Sequence, residues 1–169
     1  MSYFKTIETI RLLLRRPETS DIFALQFLWR NEIVRKYLGG VIEYKLIEEK
    51  IKSIQNHWDE HGFGLCAVAA KNSKEVLGLC GLHHSNDGVE ISYMFNPEWW
   101  GKGIAREAIV ATIEYGFNNL KIKKIIAITQ DSNQRSCSLL ERVGMQCSRK
   151  FQRFNAQQCL YELMDIQKA

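Results

Sequence analysis

Apolar and polar positions along this chain switch between a period near two and a period near 3.6, and the switches delimit its elements. Ile10-Arg-Leu-Leu-Leu-Arg15 carries the short apolar run of a strand. Pro17-Glu-Thr-Ser-Asp21 reads as a turn and helix start, and Ile22, Leu25, Phe27, Leu28 and Trp29 predict a helix with one apolar face. Ile47, Ile51, Ile54 and Trp58 predict a second helix over Leu46 to Trp58. Phe63 to Ala70 and Val76 to His83 are apolar strands joined through Asn72-Ser-Lys-Glu75 as a hairpin turn. Asn86-Asp-Gly88 is a further turn, and Val89 to Phe95 is the next strand.

From about Gly103 to Leu120 the period is helical again. Ile104, Ala108, Ile109, Thr112, Ile113, Gly116 and Phe117 share one face, with Lys102, Arg106, Glu107 and Glu114 largely off it. Lys124-Ile-Ile-Ala-Ile-Thr129 is a continuous apolar run, as in a strand covered on both faces. Asp131-Ser-Asn133 turns into a short helix with Leu139, Leu140 and Val143 as its apolar positions, stopped by Gly144. Two strand-like runs flank Phe154-Asn155-Ala156 between Cys147 and Ile166. The predicted order is βααβββαβαββ, a mixed α/β chain of the α+β class. Val89 to Thr129 is a βαβ unit, whose right-handed crossover leaves its two strands parallel.

At 169 residues the chain fits one domain over 1–169, long enough to bury a core. No apolar run approaches the roughly 20 residues that span a bilayer, and Met1 to Thr9 lacks the apolar core of a secretory signal. Five cysteines, none in a Cys-x-x-Cys pair, fit buried free thiols in a reducing cytoplasm rather than a disulfide framework. The formal charge of +4 suits a polyanionic small ligand and is too weak and dispersed to argue for nucleic acid. Lys121-x-Lys123-Lys124 is the densest basic patch and reads as a solvated turn.

One segment carries chemistry on its own. In Asn96-Pro-Glu-Trp-Trp-Gly-Lys-Gly-Ile-Ala-Arg106 a strand feeds a loop that opens into a helix through Gly101-x-Gly103. Helix-opening N–H groups lack internal partners, the helix dipole favours negative charge there, and glycines admit close backbone approach. A diphosphate is the natural ligand; the plain alternative is a loop and an ordinary helix start.

With this segment in place the chain resembles the GCN5-related N-acetyltransferases (GNAT), and within them the ribosomal-protein alanine N-acetyltransferases. Three segments carry the resemblance, in order: Thr9-Ile-Arg-Leu-Leu-Leu-Arg15 with Asp21 behind it; Glu90-Ile-Ser-Tyr-Met-Phe-Asn-Pro-Glu-Trp-Trp-Gly-Lys-Gly-Ile-Ala-Arg-Glu-Ala108; and Asn133-Gln-Arg-Ser136 running into Leu139-Leu-Glu-Arg-Val-Gly-Met145. The resemblance implies a twisted, mostly antiparallel sheet of about seven strands with one central parallel pair and flanking helices. It implies acetyl-coenzyme A as donor, with the diphosphate on Gly101, Lys102, Gly103, Ile104, Ala105 and Arg106. The pantetheine arm would lie where the strand ending at Phe95 diverges from Ile125 to Thr129, held in part by Asn133 and Ser136. Homodimers are frequent among such proteins. Two positions depart from the family: Trp100 stands where Arg or Gln is usual, and Leu140 where many relatives carry a tyrosine that protonates the departing thiolate.

The implied reaction is direct attack of an amine on the thioester in a ternary complex. It needs an acceptor for the amine's proton, donors for the tetrahedral oxyanion and, less urgently, a proton for the thiolate, since thiols have a pKa near 8.5. Glu90 is the candidate base, against a structural carboxylate or an ammonium anchor. The backbone N–H groups of Met94 and Phe95 are the candidate oxyanion donors. Ser136 is the candidate acid, against a helix-start residue bonding its own backbone; Asn133 has a plain helix cap as its alternative. Trp29, Asn31, Tyr37 and His83 are acceptor-side candidates, against core packing and surface placement. The acceptor is a primary amine, with a protein N-terminus, a polyamine, an aminoglycoside and a free amino acid all open. His57-Trp-Asp-Glu60-His61 matches a zinc pattern, but Gly62 ends that helix at once, and no metal is expected. A protein that binds acetyl-coenzyme A without turnover is the alternative from another class.

Overall fold

A computed structural model describes residues 6–166. Strands β1 (Ile7–Glu8), β2 (Leu12–Arg15), β3 (Leu65–Ala70), β4 (Val76–Ser85), β5 (Gly88–Phe95), β6 (Lys124–Gln130), β7 (Gln146–Arg153) and β8 (Ala156–Met164) form one sheet in the order β1-β2-β3-β4-β5-β6-β8-β7. Every neighbouring pair is antiparallel except β5 and β6, the parallel pair expected from the βαβ pattern. The helices are α1 (Ile22–Arg30), α2 (Glu32–Arg35), α3 (Tyr44–His61), α4 (Ile104–Asn118) and α5 (Gln134–Arg142).

Among the described residues the sheet has eight strands rather than seven. The addition is β1, whose two residues pair with Leu13 and Leu14. So short a strand has no periodicity of its own and is defined by its partner. Ile10, expected in a strand, is 93% exposed in the turn between β1 and β2. Helix α2 is also additional: Asn31 Oδ1 accepts from the N–H groups of Ile33 and Val34 at 2.9 and 3.0 Å and starts one short turn. On α1 the buried face is Leu25, Leu28 and Trp29, and Phe27 points half into solvent.

Helix α4 buries Ile104, Ala108, Ile109, Thr112, Ile113 and Gly116, the face its periodicity predicts. Gly116 lets it lie close on the sheet: a Cβ there would come within 2.7 Å of Leu82 and 2.9 Å of Ile125. Leu82, Ile91, Phe95 and Ile125 join α4 in one core cluster. Leu25, Leu28, Trp29, Ile47 and Leu79 form a second, with Met94 packed against it. Strand β5 thus sends alternate side chains to opposite layers, Ile91 and Phe95 to one and Met94 to the other. Among the described residues no helix is long and apolar enough to cross a membrane.

Candidate functional site

The loop after β5 is shaped by local chemistry. Asn96 Oδ1 accepts from the Glu98 N–H at 3.1 Å, Pro97 opens a single 3-10 turn over Pro97–Trp99, and Trp100 Nε1 donates to the Phe95 carbonyl at 2.8 Å. Gly101 and Gly103 then take φ of +73° and +77°, left-handed backbone that suits glycine. Gly103 precedes α4, and no side chain caps that helix. Its first internal bond runs from the Glu107 N–H to the Gly103 carbonyl at 3.1 Å. The N–H groups of Ile104, Ala105 and Arg106 are therefore left for an external acceptor. A Cβ at Gly101 would meet nothing within 4 Å, and Lys102 and Arg106 are exposed beside it. Open space, unclaimed N–H groups and two cations fit a diphosphate. The turn is braced by Arg11, which donates from Nε to Glu107 at 2.6 Å and from Nη1 to the Lys102 carbonyl at 3.0 Å.

The second part of the site is an open strand flank. The Asn96 N–H donates to the Leu77 carbonyl at 2.9 Å. Antiparallel pairing repeats every two residues, so Met94, Ser92 and Glu90 also turn their backbone groups to β4, opposite Leu79, Gly81 and His83. Tyr93 and Phe95 turn theirs toward β6. There β5 and β6 share a single register pair, Glu90 with Ile126, and none beyond it. The expectation of adjacent donors at Met94 and Phe95 is corrected by this register. The Met94 N–H belongs to the β4 ladder, and the donors facing the opening are two residues apart, at Tyr93 and Phe95.

Glu90 stands at that last rung. Burial holds its carboxyl above the ordinary carboxylate range, while His83, Ser85 and Arg153 pull the other way. His83 is its cross-strand partner on β4 and donates or accepts through Nε2 at 2.8 Å from Ser92 Oγ. Glu90, Ser92 and Met94 share one face of β5, the face that α1 and α3 cover further along.

The acceptor-side candidates separate. Trp29 is 3% exposed and packs the core, so it lines no surface. Asn31 caps α2. The Tyr37 carbonyl accepts from Gln130 Nε2 at 3.2 Å, which brings the segment after α2 to the end of β6. Near it lies a residue the sequence did not suggest. Arg35 donates to the carbonyls of Gly40 and Leu38 and reaches Met94 Sδ at 3.9 Å, and burial lowers its pKa. His57, the first histidine of the zinc pattern, has both ring nitrogens engaged: Nδ1 with the Phe63 carbonyl at 2.9 Å and Nε2 with the His84 N–H at 3.0 Å. Its bonds join the end of α3 to the sheet.

Helix α5 closes the site. Asn133 Oδ1 accepts from the Ser136 N–H at 3.3 Å, a capping bond that leaves the two Nδ2 donors without a partner among the described residues. Ser136 Oγ lies 2.6 Å from Tyr93 Oη instead of bonding a backbone carbonyl. Leu140 is 1% exposed in the core and brings no polar atom. Tyr93 escaped the sequence analysis. The signal available was its place between Ile91 and Phe95 on the α4 side of β5. Arg135 stacks on the Trp100 ring at 4.6 Å, tying α5 to the glycine loop.

Residues 11–146 match the family model described as Acetyltransferase (GNAT) domain. The chain is 31% identical over 147 residues to the uncharacterized N-acetyltransferase p20 of Bacillus licheniformis, covering 84% of this chain and 83% of that protein. The crystal structure of a GNAT-family acetyltransferase from Bacillus anthracis superposes with a TM-score of 0.83 at 26% identity, over 95% of this chain and 98% of that one. A spermidine N-acetyltransferase from Vibrio cholerae, solved in complex with CoA and spermine, shares the fold with a TM-score of 0.80 at 22% identity, over 92% and 96% of the two chains.

Proposed function

The chain belongs to the acetyltransferase (GNAT) domain family and is an acetyl-CoA-dependent acyltransferase; on that premise we propose that it acetylates a primary amine by direct attack in a ternary complex. The observation that carries this reading is the join of two features: the uncapped start of α4 behind Gly103, and the open flank of β5 that begins at Glu90. The first suits the diphosphate of the donor. The second offers backbone N–H groups at Tyr93 and Phe95 to a pantetheine arm and to the acyl oxygen.

Glu90 is the base in this reading. It sits at the root of the opening, and burial shifts its pKa upward, toward the range where a carboxylate can take a proton from an ammonium. His83, held by Ser92, faces Glu90 from the adjacent strand β4 and adds a polar group to the acceptor side. Asn133 offers its Nδ2 donors to the arm. The acceptor we favour is the free N-terminus of a peptide, in keeping with the resemblance of the chain's motifs to the ribosomal-protein alanine acetyltransferases. Polyamines are the second arm of the test.

The test is thiol release from acetyl-CoA with a panel of peptides, polyamines, aminoglycosides and amino acids, for the wild type and Glu90→Gln. The expected result is turnover with at least one amine, and a loss of roughly 10²- to 10⁴-fold in Glu90→Gln near neutral pH. That loss should shrink as the pH approaches the amine's own pKa. Coenzyme A binding without thiol release for any amine would instead make this a binding module. An unchanged rate in Glu90→Gln would leave that carboxylate structural.

A further inference from the structure

Leu140 gives the departing sulfur no proton and no hydrogen bond, yet a hydroxyl pair stands beside the opening. The Tyr93 side chain leaves β5 three residues past its rung with Ile126 and meets Ser136 at the start of α5. Their oxygens are 2.6 Å apart. Strand β5 borders the opening on one side, and α5 follows directly on β6, its other border. The pair therefore bridges the place assigned above to the pantetheine arm.

Hydrogen counting gives the pair a direction. Each hydroxyl has one proton, so a pair joined by one bond keeps one O–H unused. A phenol is the stronger donor and an alkyl hydroxyl the better acceptor. Burial opposes ionisation of Tyr93, so the phenol keeps its proton across the working pH range, and Ser136 is its side-chain partner. The Ser136 N–H is already bound to Asn133, which fixes the serine backbone.

We propose, resting on the acetyltransferase reading above, that Tyr93 is a positioning residue: it donates to Ser136 Oγ and thereby frees the serine O–H to hydrogen-bond the coenzyme A sulfur as it leaves. In this step the C–N bond forms and the C–S bond breaks, with the C–S electron pair remaining on sulfur. The amine's proton goes to the base, and the thiolate takes its own proton later from water. The two hydroxyls lose no proton. Donation from Tyr93 makes the Ser136 O–H a stronger donor than a lone serine.

The test compares wild type, Tyr93→Phe, Ser136→Ala and the double variant, with kcat, KM for acetyl-CoA and melting temperature measured for each. Each single change should lower kcat about tenfold, the scale of one hydrogen bond, with KM within about twofold. The double variant should be no slower than Ser136→Ala, because Tyr93 acts only through Ser136. Losses that multiply in the double variant, an unchanged kcat in Tyr93→Phe, or a change confined to KM would each overturn the proposal. Should Tyr93→Phe fail to fold, Ser136→Thr decides: it keeps the hydroxyl and should recover most of the Ser136→Ala loss, and no recovery overturns the proposal. A wild type that turns over no amine would sink the acetyltransferase reading itself, a separate result.

Discussion

Single residues at the glycine loop make the site testable. Gly103 has a left-handed φ of +77°, and a Cβ there would stand 3.3 Å from Arg11 Nη2. Gly101 is equally left-handed, with open space around it. Gly103→Val should therefore abolish the melting shift produced by coenzyme A and also lower the unliganded stability, by about 1–3 kcal/mol of backbone strain. Gly101→Ala should cost no more than the left-handed penalty, about 1–2 kcal/mol, while still weakening coenzyme A binding. Thermal melts with and without coenzyme A read both quantities. Normal binding by a folded Gly103→Val protein would remove the diphosphate from this loop. The glycines were legible in the sequence because a left-handed turn is a local demand. The Arg11–Glu107 brace was not, since its partners lie 96 residues apart.

At the scale of elements, His57 fastens the end of α3 to β4. Nδ1–H serves the Phe63 carbonyl, and Nε2 accepts from the His84 N–H, so the arrangement requires a neutral ring. Burial lowers its pKa; the Phe63 bond opposes this, and the nearby His61, His83 and His84 add to it. Because the folded value lies below the unfolded one, near 6.5, the contribution is complete above about pH 6.5. It is lost as the pH falls toward the folded value, because the unfolded chain then binds a proton that the folded chain refuses. The stability gap between wild type and His57→Gln, from urea midpoints, should be constant from pH 7 to 8 and narrow between pH 6.5 and 5. A gap independent of pH would mean that the ring is merely packed. The helix was predictable from Ile47, Ile51, Ile54 and Trp58, but the latch depends on where β4 passes.

The whole molecule links binding to stability. The glycine loop, the β5 flank and α5 come together only in the folded chain, so on the proposed reading the donor should bind that state alone. At a hundredfold excess over Kd it should add about 2.7 kcal/mol. For a chain of this size that corresponds to a rise in Tm of roughly 5–10 °C. Coenzyme A should produce it and AMP should not, as differential scanning fluorimetry would read. Equal shifts from both would mean that the adenine end, rather than the diphosphate and pantetheine, carries the binding.

Local chemistry was enough for the parallel pair around α4, for the order of the elements apart from β1 and α2, and for the left-handed glycine turn that opens α4. Each depends on periodicity, turn residues or glycines within about twenty positions of one another. The identity of β1, the half-exposed Phe27 and the exposed Ile10 escaped, because a short strand or a helix face is defined by what packs on it. The arrangement around β5 was decided only by the tertiary structure. Sheet register turned the Met94 N–H into the β4 ladder and those of Tyr93 and Phe95 into the opening. It also set Glu90 at the last rung with Ile126. The bond between Tyr93 and Ser136 joins residues 43 positions apart. Such pairings follow from strand order and from which flank of β5 stays unpaired, and no local pattern carries that information.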